Sequence, residues 1–237
     1  MKDARRTHRP WVQAAVRRID AVNRRHWWDH NEHFHGWELR RLPVGARTAL
    51  DLGCGQGLLV SRLAQRIPDV AGVDRDPGMV AAATARTAGV PGVTIRESSF
   101  EEVGRAGTTY DVVTMVAVLH HLDLDPACAV LARLLDPGGR LLIVGLSRTA
   151  SLLDLTIDVV SAVVNPLVGL VKRAGATPPD LQHALAMPMR DPEVTFAEIR
   201  RAAARHLPGA RLRRRLFFRY TLEWTAPGRI VSSQSMW

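Results

Sequence analysis

The sequence predicts an α/β protein whose core is a doubly wound, mostly parallel sheet of seven strands. Three observations support this: short, almost continuously apolar strands alternate with helical segments, a glycine turn follows the first strand, and two strand-like runs close the chain. Parallel sheets carry helices on both faces, so their strands are apolar on both sides. With 237 residues, 46% of them apolar, the chain can bury one substantial core.

Helix and strand alternate through the first half of the chain. A helical stretch over about 10–42 ends before Pro43, because the residue before a proline disfavours helix. The next elements are strand Thr48–Leu52, turn GCGQG, helix LLVSRLAQRI up to Pro68, strand Val70–Val73 ending in Asp74, helix MVAAATARTA and strand VTIRESS.

The second half completes the sheet. A fourth strand, YDVVTMVAVL, precedes a helix over 126–135, the turn Asp136–Gly139 and a fifth strand, RLLIVGL. From residue 151 an apolar helical insertion follows, and then the helix TFAEIRRAAARHL. The runs ARLRRRLFF and YTLEWTA are expected to add two antiparallel strands.

Composition limits the compartment and the partners. The formal charge is +9, and because only Lys2 and Lys172 are lysines, 30 of the 32 basic residues are arginines. Such a charge fits nucleic acid, an anionic membrane or an acidic substrate, but scattered arginines also fit a purely compositional bias. The densest run is Arg211 with Arg213–Arg215, in a strand. Two distant cysteines and no signal peptide favour the cytoplasm.

The turn Gly53-Cys54-Gly55-Gln56-Gly57 concentrates the chemistry. In an open parallel sheet, ligands bind beyond the carboxyl ends of the strands, where glycines let the backbone approach a ligand closely. The dinucleotide fingerprint needs a glycine at position 58, where this sequence has Leu58. The Gly-Lys-Ser/Thr ending of the phosphate-binding P-loop is also missing. The turn therefore fits neither of these ligand classes.

Four segments in order resemble the class I S-adenosylmethionine-dependent methyltransferases of Rossmann-like fold. They are Asp51–Gly57, the acidic Asp74 after strand two, Tyr110–Val113 through Leu119–Leu122, and Asp136–Gly139 before strand five. The resemblance covers about 46–147 and is greatest to small-molecule enzymes, including those of ubiquinone and menaquinone biosynthesis and of natural-product pathways. It implies S-adenosyl-L-methionine as cofactor.

The resemblance also implies residue roles. Asp51 would bind the cofactor's amino group through water, while Asp74 would hold the ribose hydroxyls. The methionine moiety would lie along Gly53, Cys54, Gly55 and Gly57, and Arg75, Met79 and Ser99 would lie at the adenine. Phe100 and Val116 would also bind the cofactor. Ser99 stands where the family usually has an aspartate. The alternatives are a plain tight turn at the glycines, Asp74 as a helix N-cap, Met79 in the core and Cys54 as a small filler.

His120 and His121 follow strand four and are candidates for a general base. Methyl transfer from a sulfonium is an in-line displacement, which requires alignment, exclusion of water and, for some acceptors, removal of a proton. Histidine titrates in the required range. The alternative is that His120 lines the cofactor and His121 begins the next helix.

The stretch WWDHNEHFHGW combines histidines and aromatics at helical spacing. His26, His30 and His33 share one face, but no distant partner has an established zinc spacing, so no metal site is predicted. Trp27, Phe34 and Trp37 form an adjoining stripe that would dock the helix on the sheet. As part of a lid, Asn31, His33 or His35 would reach the cofactor or the acceptor, with His33 a candidate catalytic residue. Plain packing with a solvated polar face is the alternative.

The apolar segment 151–171 has the length of a membrane span, but Asp154, Asp158 and Asn165-Pro166 interrupt it. We expect a cap that forms an apolar wall over the acceptor site; a core helix or a shallow membrane contact are the alternatives. The predicted organisation is one domain with a lid (1–45), a cofactor-binding core (46–147), a cap (148–205) and terminal strands (206–237).

Three functions follow from these features. The first is a cytoplasmic methyltransferase for a small, partly apolar metabolite, with neither a specific nucleic-acid partner nor a membrane span. The second is an RNA or protein methyltransferase, and the third is a cofactor-binding protein without transferase activity. The residues do not distinguish oxygen, nitrogen, carbon or sulfur as the acceptor atom, because displacement places similar demands on each enzyme, and they do not specify the oligomeric state.

Overall fold

A computed structural model describes residues 30–151 and 192–228, together with residues 154, 156, 157, 160, 161 and 164. The described residues fall into two compact units. The larger contains residues 31–148, 192–215 and 219–228, and carries the whole sheet. Residues 149–151, 216–218 and the described positions between 154 and 164 belong to the smaller unit.

The elements of the described chain follow the predicted order, with one additional helix between the third and fourth strands. The helices are α1 (His30–Leu39), α2 (Leu58–Leu63), α3 (Pro77–Arg86), α4 (Phe100–Ala106), α5 (Leu124–Arg133) and α6 (Phe196–His206). The strands are β1 (Thr48–Leu52), β2 (Asp69–Asp74), β3 (Val93–Glu97), β4 (Tyr110–Val116), β5 (Leu135–Gly145), β6 (Arg211–Arg215) and β7 (Arg219–Thr225). A 3₁₀ turn, Leu119–His121, follows β4.

The sheet has seven strands in the order β3-β2-β1-β4-β5-β7-β6. The first five are parallel, while β7 is antiparallel to β5 and to β6, which confirms the predicted fold class. The chain winds outward from β1 through β2 to β3, and then restarts on the other side of β1 at β4. Ligands of doubly wound sheets bind at such a switch point, beyond the carboxyl ends of the strands. In this protein, that point lies between β1 and β4.

The alternation of side chains along the strands builds a different core on each face of the sheet. Leu50 and Leu52 face α5 and α6, whose buried residues include Leu131 and Ile199. Ala49 and Val112 face the opposite side with α2. The sheet is thus covered by helices on both faces, as near-continuous apolar strands require.

The helix α1 docks on the sheet through its aromatic stripe. Phe34 and Trp37 are buried against Leu142 and Val144 of β5. Arg41, just beyond the helix, bonds Glu223 of β7 at 3.1 Å. Phe34 and Trp37 therefore pack as predicted and fix the position of the helix on the sheet, whereas Trp27 of the predicted stripe lies outside the described residues.

Several predicted boundaries were wrong for identifiable reasons. The first helix ends at Leu39, three residues before the predicted limit, and β4 ends at Val116 because Ala117 takes a left-handed φ of 57°. The predicted turn at Asp136–Gly139 lies within the bounds of β5, whose pairing with β4 is irregular there and whose Gly138 has a φ of 84°. The predicted strand ARLRRRLFF ends at Arg215.

The sequence prediction also missed α4 and extended the third strand into its start. Ser99 caps this helix: its hydroxyl accepts from the Glu102 backbone N–H at 3.2 Å, while Glu102 accepts from the Ser99 N–H at 2.8 Å. This reciprocal capping box is visible in the sequence as Ser-x-x-Glu. It ends β3 at Glu97 rather than at Ser99.

In the smaller unit, the described positions 154, 156, 157, 160, 161 and 164 are helical, as predicted for this segment. The backbone N–H of Phe217 donates to the buried Ser161 hydroxyl at 2.8 Å. Asp158 and Asn165-Pro166, which were expected to interrupt the segment, lie outside the described residues. Among the helices that the structure describes, none is long and apolar enough to cross a membrane.

Candidate functional site

The glycine turn joins β1 to α2 at the switch point of the sheet. The Gly53 and Cys54 backbone N–H groups donate to Val73 O of β2 at 2.8 and 2.9 Å, which ties the turn to the neighbouring strand. Gly53, Gly55 and Gly57 all have positive φ. A Cβ built on Gly53 would lie 2.3 Å from Cγ2 of Val118. Only glycine fits this position without a shift, because both the conformation and the contact exclude a side chain.

Asp74 connects the end of β2 to the glycine turn. Its Oδ2 accepts from the Gly55 N–H at 2.9 Å, and its Oδ1 accepts from the Asp76 N–H at 3.0 Å. The N-cap of α3 is Asp76, whose carboxylate accepts from Gly78 and Met79. The alternative that Asp74 caps this helix is therefore wrong. Its carboxylate instead lies beside the turn at the ligand-binding edge.

Asp51 is almost fully buried at the end of β1. It faces its partner in the β4 register, Thr114, which donates to Oδ1 at 2.7 Å. Burial raises the pKa of Asp51 to about 7; the Thr114 hydrogen bond opposes this rise, and the negative charge of Asp74 adds to it. A carboxyl group with a pKa near neutrality thus lies directly before the glycine turn.

Glu38 is a second buried acid, which the sequence interpretation missed. It lies on α1, is 0% exposed, and neither carboxyl oxygen has a hydrogen-bond partner among the described residues. Burial, and then the negative charge of Asp51, raises the pKa of Glu38 well above its usual 4.5. The adjacent Trp37 in the buried stripe was the signal that this side of the helix faces the sheet.

The buried acids predict a pH-dependent stability. A carboxyl group whose pKa is higher in the folded state stabilises the fold fully below its unfolded pKa, and loses this contribution as pH rises through the folded value. With the pKa of Asp51 at about 7, this group alone should cost the ligand-free protein about 2 kcal/mol of unfolding free energy between roughly pH 5.5 and 8. Glu38 adds a loss in the same direction. Urea unfolding across this range measures the sum. Asp51→Asn should reduce the slope of the profile, whereas Asp69→Asn, at an exposed position of β2, should not. Equal slopes in both variants would contradict the assignment.

The other residues predicted to bind the cofactor have different surroundings. Arg75 is exposed, whereas Met79 in α3 is partly buried and absent from the fully buried core. Ser99 uses its hydroxyl in the capping box, and Phe100 packs against the core as the first residue of α4. Val116 ends β4. Their role toward a ligand stays a prediction.

Cys54 is buried among apolar residues beside Ala49 and Val60. Burial raises the pKa of its thiol, and the charges of Asp51 and Asp74 raise it further. A thiol of this kind is a poor nucleophile, because the thiolate is the reactive form. Its surroundings favour the small-filler interpretation.

His120 and His121 lie in the 3₁₀ turn that follows β4, with ring centroids 4.0 Å apart. The helix after them begins at Leu124, so the alternative that His121 starts this helix is wrong. His121 is exposed and His120 is partly buried. The left-handed Ala117 directs the chain into this turn at the edge of the sheet.

The polar residues of α1 make contacts within the protein. Asn31 Oδ1 accepts from Arg219 at 2.9 Å, and His35 Nδ1 lies 3.0 Å from Nη1 of Arg62. His33 is exposed, with its ring edge-on to Phe34. His26 and the side chain of His30 lie outside the described residues. Within the described part of the chain, no cluster of His, Cys, Asp and Glu has the composition to hold a metal ion.

The Methyltransferase domain family matches residues 50–143, which include the glycine turn, β2 and β4. An uncharacterized methyltransferase of Mycobacterium tuberculosis is 34% identical over 208 residues, covering 84% of this chain and 98% of that protein. The chain belongs to the class I S-adenosylmethionine-dependent methyltransferases. This membership confirms the predicted family, enzyme class and cofactor.

One further relative and one solved structure are similar to this chain. A ubiquinone biosynthesis O-methyltransferase of Paracidovorax citrulli is 33% identical over 139 residues, which cover 52% of this chain and 58% of that enzyme. The magnesium protoporphyrin IX methyltransferase of Synechocystis PCC 6803, with bound S-adenosylmethionine, shares the fold with a TM-score of 0.50. It is 21% identical, and the match covers 94% of this chain and 90% of that one.

The residues at the switch point of this methyltransferase fit its cofactor. The Gly53 position leaves no space for a Cβ, and the glycines expose backbone along the turn. The carboxyl groups of Asp51 and Asp74 suit the positive charge of a sulfonium and an ammonium group. The buried carboxyl of Glu38 has no partner of its own in the described protein.

Two arginines of β6 make contacts within the protein. Arg214 lies over the ring of Phe196 at 3.8 Å, and Arg215 donates to the Thr221 hydroxyl at 3.0 Å. Arg211 and Arg213 are exposed. These contacts favour a role in packing the edge strand over a continuous basic surface for RNA.

Proposed function

We propose that this methyltransferase transfers the methyl group of S-adenosylmethionine to a small, partly apolar metabolite by in-line displacement. The observation that supports it most strongly is the placement of Asp51, Gly53 and Asp74 together at the switch point of the sheet. The cofactor supplies an electrophilic methyl group on its sulfonium. The protein has to bind it, align the acceptor and exclude water.

In this proposal, the site residues divide the work. Asp74 holds the ribose hydroxyls, and Asp51 holds the amino group of the methionine moiety, which lies along Gly53, Cys54, Gly55 and Gly57. Arg75, Met79 and Ser99 surround the adenine, and Phe100 and Val116 also bind the cofactor. The Ser99 hydroxyl already takes part in the capping box with Glu102. To accept a hydrogen bond from the adenine, it would have to keep that contact as well.

The acceptor is proposed to be small and partly apolar. The ubiquinone biosynthesis relatives support this class, although they match only about half of this chain. The apolar composition of residues 151–171 supports it as well, since a cap after the fifth strand would cover the acceptor. The engaged arginines of β6 argue against a polyanionic acceptor.

The two histidines give a prediction about acid–base chemistry. If one removes a proton from the acceptor, its replacement by asparagine should lower kcat about 100-fold or more and remove the corresponding limb of the pH profile. His33→Asn tests the third candidate histidine, on α1, by the same two measurements. Calorimetric S-adenosylmethionine binding should change less than threefold in each variant, which separates catalysis from binding. Unchanged kcat in both His120→Asn and His121→Asn would contradict a base at this turn.

The function is tested by transfer of a labelled methyl group from S-adenosylmethionine into a cell extract that is then separated into small-molecule, protein and RNA fractions. Label in the small-molecule fraction is the expected result, and mass spectrometry then identifies the product. Label confined to protein or RNA would contradict the proposed acceptor class. Cofactor binding without transfer to any fraction would support a binding protein instead.

A further inference from the structure

Thr114 lies in β4, opposite Asp51 on β1 and Leu142 on β5. Its side chain is completely buried, so its hydroxyl group needs a hydrogen-bond partner inside the protein. The hydroxyl oxygen lies 2.7 Å from Oδ1 of Asp51 and 3.4 Å from the carbonyl oxygen of Leu50. A hydroxyl group has one proton, and the shorter contact, to a group that can ionise, is the stronger bond. Thr114 therefore donates to Asp51.

This hydrogen bond determines which oxygen of Asp51 a ligand can reach. Oδ1 is occupied by Thr114, whereas Oδ2 accepts no hydrogen bond from the described residues. Within the described part of the chain, Oδ2 is also not one of the unpaired polar atoms that are completely shielded from solvent. The free oxygen thus keeps access to solvent near the carboxyl end of β1, directly before the glycine turn.

The sheet fixes the position of the Thr114 hydroxyl. Strand β4 is paired on both sides, with β1 and with β5, and a β-branched side chain has few χ1 rotamers. An aspartate carboxyl group, by contrast, turns over a broad range of χ2 unless a bond holds it. Burial raises the pKa of Asp51 to about 7, and the Thr114 bond opposes this rise because it stabilises the ionised form. The bond thus fixes the orientation of the carboxyl group and favours its charge.

We propose that Thr114 is a positioning residue of the cofactor site: its hydroxyl holds Oδ1 of Asp51, so that Oδ2 receives the amino group of S-adenosylmethionine. Thr114 touches neither the cofactor nor the acceptor, and it acts only through the acid. A carboxylate held in the orientation that its ligand needs binds more tightly than one that the ligand must first order. This inference rests on the proposed function, because it needs the cofactor amino group beside Asp51. Its effect is confined to the amino acid part of the cofactor, since the ribose is assigned to Asp74.

Isothermal titration calorimetry of the full chain tests this role with two ligands. They are S-adenosylmethionine and 5′-methylthioadenosine, which has the adenosine part of the cofactor but no amino acid part. Thr114→Val keeps the shape of the side chain without its hydroxyl, and should weaken S-adenosylmethionine binding about tenfold or more. Its affinity for 5′-methylthioadenosine should stay within about threefold of the wild type. Thr114→Ser, which keeps the hydroxyl, should restore S-adenosylmethionine binding to within about threefold.

Thr221→Val is the matched control. Thr221 is also a buried threonine of the sheet, in β7, and its hydroxyl accepts from Arg215 at 3.0 Å. This variant should leave both affinities within about threefold of the wild type, which excludes a general effect of losing a buried hydroxyl. In an Asp51→Ala background, Thr114→Val should weaken S-adenosylmethionine binding no further, because the hydroxyl acts through the acid.

Three results would overturn the inference while leaving the cofactor assignment intact. They are wild-type affinity of Thr114→Val for S-adenosylmethionine, equal losses of the two ligands in this variant, and a further loss in the Asp51→Ala background. If Thr114→Val does not fold, Thr114→Cys decides, because its thiol is a weak donor and should bind S-adenosylmethionine more weakly than Thr114→Ser does. Equal affinities of these two variants would also overturn the inference. Wild-type affinity of Asp51→Ala would show that the proposed cofactor site is wrong, and this inference with it.

Discussion

Asp74→Ala should weaken S-adenosylmethionine binding about 30- to 700-fold, a loss of about 2–4 kcal/mol. In the proposed site, this carboxylate accepts from both ribose hydroxyls, and hydrogen bonds to a charged group are the strongest of their class. It also holds the Gly55 N–H at 2.9 Å, so its removal loosens the glycine turn. Isothermal titration calorimetry at constant pH and salt measures the loss.

Asp76→Ala is the matched control, because Asp76 lies two residues further along and caps α3. Loss of an N-cap should cost about 1 kcal/mol of unfolding free energy. Cofactor binding in this variant should stay within about threefold of the wild type, since a helix cap carries no ligand contact in the proposal. If Asp74→Ala binds the cofactor as tightly as Asp76→Ala does, the placement of the ribose is wrong.

Gly53→Ala is expected to have the largest effect on stability. The left-handed φ of 71° costs an alanine about 1–2 kcal/mol. The new Cβ would lie 2.3 Å from Val118 Cγ2, and the forced shift should cost about 1–3 kcal/mol more. Urea unfolding should therefore show a loss of about 2–5 kcal/mol, and cofactor binding should fall more than about tenfold because the turn moves.

Gly45→Ala separates the two causes. Gly45 has a φ of 80°, but a Cβ there would meet nothing within 4 Å, so this variant should lose only the conformational part. Adding Val118→Ala to Gly53→Ala removes the contact, and the double-mutant cycle should show a favourable interaction energy of about 1 kcal/mol or more. If Gly53→Ala lowers the free energy of unfolding no more than Gly45→Ala does, the contact between a side chain at position 53 and Val118 carries no steric cost.

The local elements of this fold could be predicted because their signals are local. The apolar run Thr48–Leu52 gave β1 with the correct bounds, and the four ordered segments gave the family. The helix α4 was missed although its capping box is present in the sequence, because Ser98 and Ser99 were taken as the end of a strand. The early end of β4 had no such signal, since alanine rarely adopts the left-handed conformation that Ala117 takes.

The burial of Asp51 and Glu38 could not be predicted because it depends on tertiary contacts. Asp51 meets Thr114 only through the register between β1 and β4, which are far apart in sequence. Glu38 is charged and would ordinarily lie on the solvated face of a helix. Its burial is decided by where α1 docks on β5, and only the structure gives this position. The chemically most unusual group of the site was therefore absent from the sequence-based set.

The cofactor is proposed to bind at the switch point, on Asp51, Gly53 and Asp74. The direct test is a crystal structure of the protein soaked or grown with S-adenosylmethionine. We expect the ribose hydroxyls within hydrogen-bond distance of Asp74, and the methionine moiety along the turn 53–57 with its amino group on the Asp51 side. A cofactor bound elsewhere on the protein, or bound at this edge with its ribose away from Asp74, would show that the proposed site is wrong.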